Sequence, residues 1–96
     1  MNVKIQSLKF DADQKLIDFI ENKLAKLDKL ADGIIAADVT LKLDKDNEHG
    51  NKIVVIALDI PGDKLVAEKQ CKSFEEAIDL SIDALKKQIS RHKEIK

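Results

Sequence analysis

Apolar residues recur at two different spacings along this sequence, and the order of the two spacings is what most constrains the fold. Over residues 16–31 they recur every three or four positions, which is typical of a helix with one buried face. Over residues 39–71 they recur mainly at every second position, which is typical of strands with one buried face. A second helical spacing follows from residue 74 to residue 92. The first helix is predicted to bury Leu16, Ile20, Leu24, Leu27 and Ala31.

Four segments are predicted to form strands. The first covers residues 3–10 and precedes the first helix, which runs to about residue 30. The others cover residues 38–44, 53–60 and 65–71, and the last is short and polar, as expected of a strand at the edge of a sheet. Pro61 and Gly62 fit the central positions of a type II turn between the last two strands. The predicted core positions of the second and third strands are Val39, Leu41, Leu43, Val54, Ile56, Leu58 and Ile60.

Residues at the predicted helix ends match known capping preferences. Asp11 or Asp13 can cap the first helix, and the sequence does not distinguish between them. Gly33 is placed to end that helix in a left-handed conformation, which costs other residues more. Ser73 and Glu76 are predicted to form a capping box at the start of the second helix, in which each side chain accepts a hydrogen bond from the other residue's backbone N–H.

The predicted order of elements is strand, helix, three strands and helix. A right-handed crossover through the first helix makes the first two strands parallel and places that helix on one face of the sheet. The later strands form an antiparallel meander, and the second helix is expected to bury its apolar residues beside the first. We therefore predict a single domain over residues 1–96, an α+β two-layer sandwich with a four-stranded mixed sheet and both helices on one face. The residues expected on the other, solvent-exposed face include Lys4, Gln6, Thr40 and Lys42.

The sequence carries no recognisable catalytic, metal or cofactor site. Its three glycines lie in separate predicted turns, so they form no glycine-rich loop that could hold a phosphate. His49, Cys71 and His92 are too far apart to match a structural zinc motif. No apolar run approaches the roughly 20 residues that a membrane span needs. The lone cysteine and the absence of a signal peptide are typical of a protein in a reducing compartment. We expect a cytoplasmic protein that is not an enzyme and uses no cofactor, metal or small-molecule substrate.

Charge is segregated along the second helix. The 17 basic and 18 acidic residues nearly cancel, so a nucleic-acid binder would have to gather its basic residues on one face. Residues 75–83 carry four acidic residues and no base, whereas residues 86–96 carry five bases and one acidic residue. Two explanations stay open: the charges complement the helix dipole, or the basic end binds a polyanion that relieves the repulsion between its bases. Lys23, Lys26 and Lys29 would join that basic end if the helices lie side by side.

The aromatic content bears on the type of partner. Three phenylalanines, with no tyrosine or tryptophan, offer few rings for stacking single-stranded bases, so contacts to the backbone of folded RNA fit better. An alternative is a protein-interaction module that binds a protein partner through a strand edge or through the acidic start of the second helix. A third possibility, a small-molecule sensor, requires an apolar pocket that a core of this size can hardly spare. The acidic start comprises Glu75, Glu76, Asp79 and Asp83.

Motifs in both helices and in the last hairpin, taken together, resemble one protein family. They are Ala77-Ile78-Asp79, Ile82-Asp83, Leu85, Gln88-Ile89 and Arg91-His92-Lys93 in the second helix, Lys23-Leu24-Ala25-Lys26-Leu27 in the first, and Ile60-Pro61-Gly62 in the turn. The family is that of the ribosome hibernation-promoting factors, also called ribosome-associated inhibitors or sigma-factor modulation proteins. The resemblance covers essentially the whole chain in the same order of elements, and the sequence is similar to the short members.

The resemblance implies a non-enzymatic protein of the stress response or stationary phase that inhibits translation and promotes ribosome hibernation. Members of this family bind the small ribosomal subunit, on ribosomal RNA where messenger and transfer RNA would lie. Whether a separate protein partner is needed for ribosome dimerisation is left open, and no membrane is involved. The RNA-binding residues that the resemblance implies are Lys23, Lys26, Lys87, Arg91 and Lys93, with His92 beside them and Lys86 ranked lower.

Overall fold

The computed structural model describes residues 1–31, 33–45, 48 and 50–94, and for residues 93 and 94 it describes the backbone alone. Within this part of the chain the elements are β1 (Asn2–Ser7), α1 (Gln14–Leu30), β2 (Ala36–Leu43), β3 (Lys52–Ile60), β4 (Asp63–Cys71) and α2 (Phe74–Glu94). This order is the one that the apolar spacings predict. His49, Lys96 and the side chain of Lys93, all used in the sequence argument, lie outside the described residues. None of the described helices is long and apolar enough to cross a membrane.

The strands of the described chain form one four-stranded mixed sheet in the order β1-β2-β3-β4. β1 pairs with β2 in parallel, with Ile5 opposite Val39. β2, β3 and β4 form an antiparallel meander, in which Val39 lies opposite Ile56 and Ile56 lies opposite Ala67. Both helices pack on the sheet face that carries these residues. The predicted α+β two-layer sandwich is therefore confirmed, and β4 is an edge strand, as its polarity predicts.

One apolar core lies between the sheet and the helices. Every position predicted for the buried stripe of α1 is buried, because spacings of three and four residues keep these side chains on the helix side that faces the sheet. Of the core positions predicted for β2 and β3, Ile60 is only partly buried and Leu43 is 47% exposed. Leu43 is the last residue of β2 and lies next to exposed residues of the following loop. The large side chains that are fully buried are Ile20, Leu24, Leu27, Val39, Leu41, Val54, Ile56, Leu58, Ile78 and Leu85.

β1 ends earlier than the sequence predicts, at Ser7 instead of residue 10. The Ser7 hydroxyl donates a hydrogen bond to the Phe10 carbonyl at 2.8 Å, and Lys9 turns the chain with a φ of +67°. This turn stacks the Phe10 ring on the Phe74 ring at the start of α2, with their centroids 5.2 Å apart. The stacked rings are far apart in sequence, so local spacing does not reveal this contact.

The structure shows which aspartate caps the start of α1 and how the helix ends before Gly33. Asp13, and not Asp11, caps the helix, since its Oδ1 accepts a hydrogen bond from the backbone N–H of Leu16 at 2.9 Å. At the other end, Ala31 caps the helix in an extended conformation. Gly33 has the expected positive φ, at +91°, but it lies two residues beyond that cap. Gly33 therefore turns the chain toward β2 after the helix has ended.

The start of α2 shows one half of the predicted capping box. The Ser73 hydroxyl accepts a hydrogen bond from the backbone N–H of Glu76 at 3.2 Å. The Glu76 carboxylate lies near the thiol of Cys71, which is buried. Burial raises the pKa of the Cys71 thiol above its ordinary value, and the charge of Glu76 raises it further. Because the thiolate is the reactive form, Cys71 has the environment of an inert structural cysteine.

The hydroxyl of Ser81 is buried in the core and has no hydrogen-bond partner among the described residues. A buried hydroxyl without a partner costs about 1–3 kcal/mol, and alanine is a better helix former than serine. We expect Ser81→Ala to raise the free energy of unfolding by about 1 kcal/mol, measured by urea denaturation. The matched control is Ser90→Ala at an exposed position of the same helix, where only helix propensity changes. Equal gains in the two variants would contradict the explanation by burial.

Candidate nucleic-acid interface

The two helices run side by side in the same direction. Leu16, near the start of α1, lines a surface cleft together with Phe74 at the start of α2. Leu27, near the end of α1, lines another cleft together with Ile89 near the end of α2. The C-terminal halves of both helices therefore lie at the same end of the molecule. Because both halves carry lysines, the fold brings basic residues together that are far apart in the sequence.

A groove of about 290 Å³ runs between α1 and α2. Lysines of both helices lie along it, and so do two aspartates of α2. The α2 residues are spaced by three and four positions, which keeps them on the helix side that faces α1. We refer to this feature as the interhelical groove, which is lined by Lys23, Lys26, Asp79, Ile82, Asp83 and Lys86.

The three lysines of the interhelical groove differ in their contacts. The Nζ of Lys23 lies 2.9 Å from the Oδ1 of Asp79 and 5.4 Å from the centre of the Phe19 ring, so it makes an ion pair and a cation–π contact. Lys26 and Lys86 are exposed and form no ion pair with any residue that the structure describes. A partly exposed ion pair contributes only about 0–1 kcal/mol, so its pairing with Asp79 leaves Lys23 able to contact a second anion.

Lys87 and Arg91 lie on a different side of α2 from the groove. Both side chains are exposed, they are one helical turn apart, and neither lines the interhelical groove. We call these two residues the outer basic pair. They are accessible to a large partner that covers the end of α2, but they do not face α1.

His92 and Gln88 lie on the side of α2 that packs against β4, the edge strand of the sheet. The Nε2 of His92 lies 3.8 Å from the Oδ2 of Asp63, the first residue of β4. One turn earlier, the side-chain amide of Gln88 donates a hydrogen bond to the Val66 carbonyl of β4 at 2.9 Å. The structure therefore places His92 against β4 and away from the interhelical groove.

The predicted RNA-binding residues thus divide into separate groups. Lys23, Lys26 and Lys86 meet in the interhelical groove, although the sequence ranks Lys86 lowest. The outer basic pair and His92 lie elsewhere on α2, and the side chain of Lys93 is outside the described part of the chain. The sequence argument does not assign Asp79 and Asp83 to this groove, because it names them only in the acidic start of α2 and in the family motifs. Their spacing to Lys86, seven and three positions, is the signal that could have placed them on its face.

Comparison with known proteins identifies the family. A family model described as Sigma 54 modulation protein / S30EA ribosomal protein matches residues 3–96. The chain belongs to this family. The family consists of ribosome hibernation factors, which bind and do not catalyse, so the protein is not an enzyme, as the sequence predicts.

Named members of the S30EA family are similar to this chain over nearly its whole length. The ribosome hibernation promoting factor of Pseudomonas putida is 32% identical over 94 residues, which cover 98% of this chain and 88% of the relative. The ribosome hibernation promotion factor of Bacillus subtilis is 30% identical over 93 residues, which cover 97% of this chain and 49% of that longer protein.

Two solved structures share the fold of this S30EA-family chain. The N-terminal domain of Protein Y from Thermus thermophilus has a TM-score of 0.80 at 30% sequence identity, covering 96% of this chain and 99% of that one. A ribosomal subunit interface protein from Coxiella burnetii has a TM-score of 0.87 at 22% identity, covering 97% and 98%. At that identity the second comparison shows the fold alone.

Proposed function

We propose that this protein binds the small ribosomal subunit and promotes ribosome hibernation, and that it contacts ribosomal RNA through the basic side of its two helices. The named hibernation factors that match nearly the whole chain support this proposal. The observation that carries it is the interhelical groove, where lysines of two helices, Lys23, Lys26 and Lys86, face a common space. The phosphates of an RNA backbone are anions that suit such a groove.

The helix dipole does not account for Lys23, Lys86 or Lys87. Stabilisation by the dipole fades beyond the last helical turn. Lys86 and Lys87 lie about two turns before α2 ends at Glu94, and Lys23 lies about two turns before α1 ends at Leu30. Their grouping at one end of the molecule therefore favours the second explanation, binding of a polyanion.

The phenylalanines favour contacts to phosphates over stacking on bases. All three lie in the described part of the chain: Phe74 is buried, and Phe10 and Phe19 are half-buried. Phe10 and Phe74 stack on each other, and Phe19 lies beneath the ammonium group of Lys23. Proteins that bind single strands stack bases on exposed rings, so this surface fits the backbone of folded RNA better. The outer basic pair would extend the contact beyond the groove.

The geometry gives the alternative, a protein partner bound through the acidic helix start, less support. Asp79 and Asp83 stand among lysines in the groove, so this side of α2 is not uniformly acidic. The proposed function needs no cofactor and no small-molecule substrate, and binding to ribosomes would keep the protein in the cytoplasm.

Binding to small ribosomal subunits is expected to weaken by at least about tenfold when salt rises from about 50 mM to about 200 mM, because each phosphate contact releases counterions. Co-sedimentation of the protein with purified subunits measures this change, and large subunits in the same experiment control for general attraction to RNA. The protein should also lower peptide synthesis in a cell-free translation reaction. No co-sedimentation at low salt, or binding that does not respond to salt, would contradict the proposal.

A further inference from the structure

The two aspartates of the interhelical groove oppose the charge that RNA binding requires. Asp79 is 51% exposed even while it holds Lys23. Asp83 is exposed and forms no ion pair with any described residue. Both line the same groove as Lys26 and Lys86. A phosphate that enters the groove therefore meets two carboxylates as well as three lysines.

Repulsion from a carboxylate acts on every polyanion, whatever its sequence or shape. Non-specific binding of RNA is electrostatic and averages over many orientations, so it loses affinity for each acidic residue within reach. A specific complex holds the phosphates in one arrangement, which can place them on the lysines and away from the carboxylates. Acidic residues in a basic groove therefore lower the affinity for unrelated polyanions more than the affinity for a matching one.

Asp79 has a second effect, because it restrains Lys23. The Lys23 side chain is 33% exposed and its Nζ lies between the Asp79 carboxylate and the Phe19 ring. A lysine held in this way has less rotamer freedom to lose when it meets a phosphate at a fixed position. An RNA of fixed shape can use this advantage, whereas a flexible strand, which has no fixed phosphate positions, cannot.

We propose that Asp79 and Asp83 are specificity-determining residues of the interhelical groove, which disfavour flexible and unrelated RNA while a folded RNA of matching shape is still bound. This inference rests on the proposed function and concerns the selectivity of the same site. It also explains how a chain with a formal net charge of -1 can bind RNA. Additional lysines would raise its affinity for every RNA, whereas the acidic residues raise its selectivity.

The test compares Asp79→Asn and Asp83→Asn with the matched controls Asp38→Asn and Glu68→Gln. The controls remove the same charge from exposed positions on the open face of the sheet. Binding to polyuridylate is measured by fluorescence anisotropy, and binding to small subunits by co-sedimentation, at one salt concentration. Each groove variant is expected to bind polyuridylate about three- to tenfold more tightly, and each control less than about twofold. Affinity for small subunits should rise by less than about threefold, so the ratio of the two affinities falls.

The inference is overturned by groove variants that bind polyuridylate no better than the controls do, or by an unchanged ratio of subunit affinity to polyuridylate affinity. Asp83→Asn leaves the ion pair of Lys23 intact, so it reports repulsion alone, whereas Asp79→Asn reports repulsion and the loss of restraint together. Failure of the unmodified protein to bind subunits is a different result, which overturns the proposed function. Melting temperatures of all variants show that each remains folded.

Discussion

Replacing Gly50 by alanine is expected to lower the free energy of unfolding by about 3–5 kcal/mol, a large share of the stability of a domain of this size. Gly50 is buried and has a φ of +102°, a conformation that costs an L-residue about 1–2 kcal/mol. A β-carbon there would also overlap the backbone of Cys71 and Lys72. Rotation of a side chain cannot relieve that overlap, so the loop and the end of β4 must move apart. Urea denaturation measures the loss.

Gly62→Ala is the matched control for this prediction. Gly62 also has a positive φ, at +81°, but nothing lies within 4 Å of the position that a β-carbon would take. Its replacement should cost only about 1 kcal/mol, from backbone strain alone. Losses of equal size for the two glycines would show that the close approach at Gly50 has no energetic consequence.

The role of Gly50 is a part of the fold that the sequence does not reveal. In the sequence it is one isolated glycine in a polar stretch between two strands. In the structure, its carbonyl accepts a hydrogen bond from the Gln70 side chain at 2.8 Å, and that side chain also donates to Asp44 at 3.2 Å. These hydrogen bonds connect the loop after β2 to the end of β4. Contacts of this kind depend on how distant segments meet, and no local pattern encodes them.

The larger features of the fold were predictable because they depend on local periodicity and on the order of elements. The stripe that includes Leu16, Ile20 and Leu24 recurs at helical spacing whatever it packs against, so α1 and its buried face follow from sequence alone. The right-handed crossover then determines which strands are parallel. The exceptions lie at the ends of elements, such as the end of β1 at Ser7, after which the chain turns and Phe10 stacks on Phe74.

The candidate site was predicted less completely, for a related reason. Helical spacing shows which residues share a face, but it does not show which face of α2 meets α1. Lys86 and Lys87 are neighbours in sequence and about 100° apart around the helix. Only the packing of the helices shows that Lys86 enters the groove while Lys87 and Arg91 remain on another side. The residue types were therefore informative, and their grouping required the three-dimensional structure.

Reversing the charges of Lys26 and Lys86 together is expected to weaken binding to small ribosomal subunits by at least about 100-fold at low salt. Both side chains are exposed and form no ion pair with a described residue, so the melting temperature should change little. Lys23 stays unaltered in Lys26→Glu/Lys86→Glu, because its loss would also release Asp79. The slope of log affinity against log salt should become shallower by roughly 1.5, as expected when two phosphate contacts are lost.

The control for this prediction is Lys4→Glu/Lys64→Glu, which makes the same change in net charge on the sheet face opposite the helices. Charges separated by more than about 10 Å are largely screened at about 0.1 M salt, so the control should bind within about fivefold of the unmodified protein. Equal losses in both double variants would mean that net charge governs binding and that the groove has no special role.

The third double variant, Lys87→Glu/Arg91→Glu, tests the outer basic pair in the same way. If it loses as much affinity as the groove variant, the RNA contact continues around α2. If it alone loses affinity, the outer basic pair is the contact, and the interhelical groove is not.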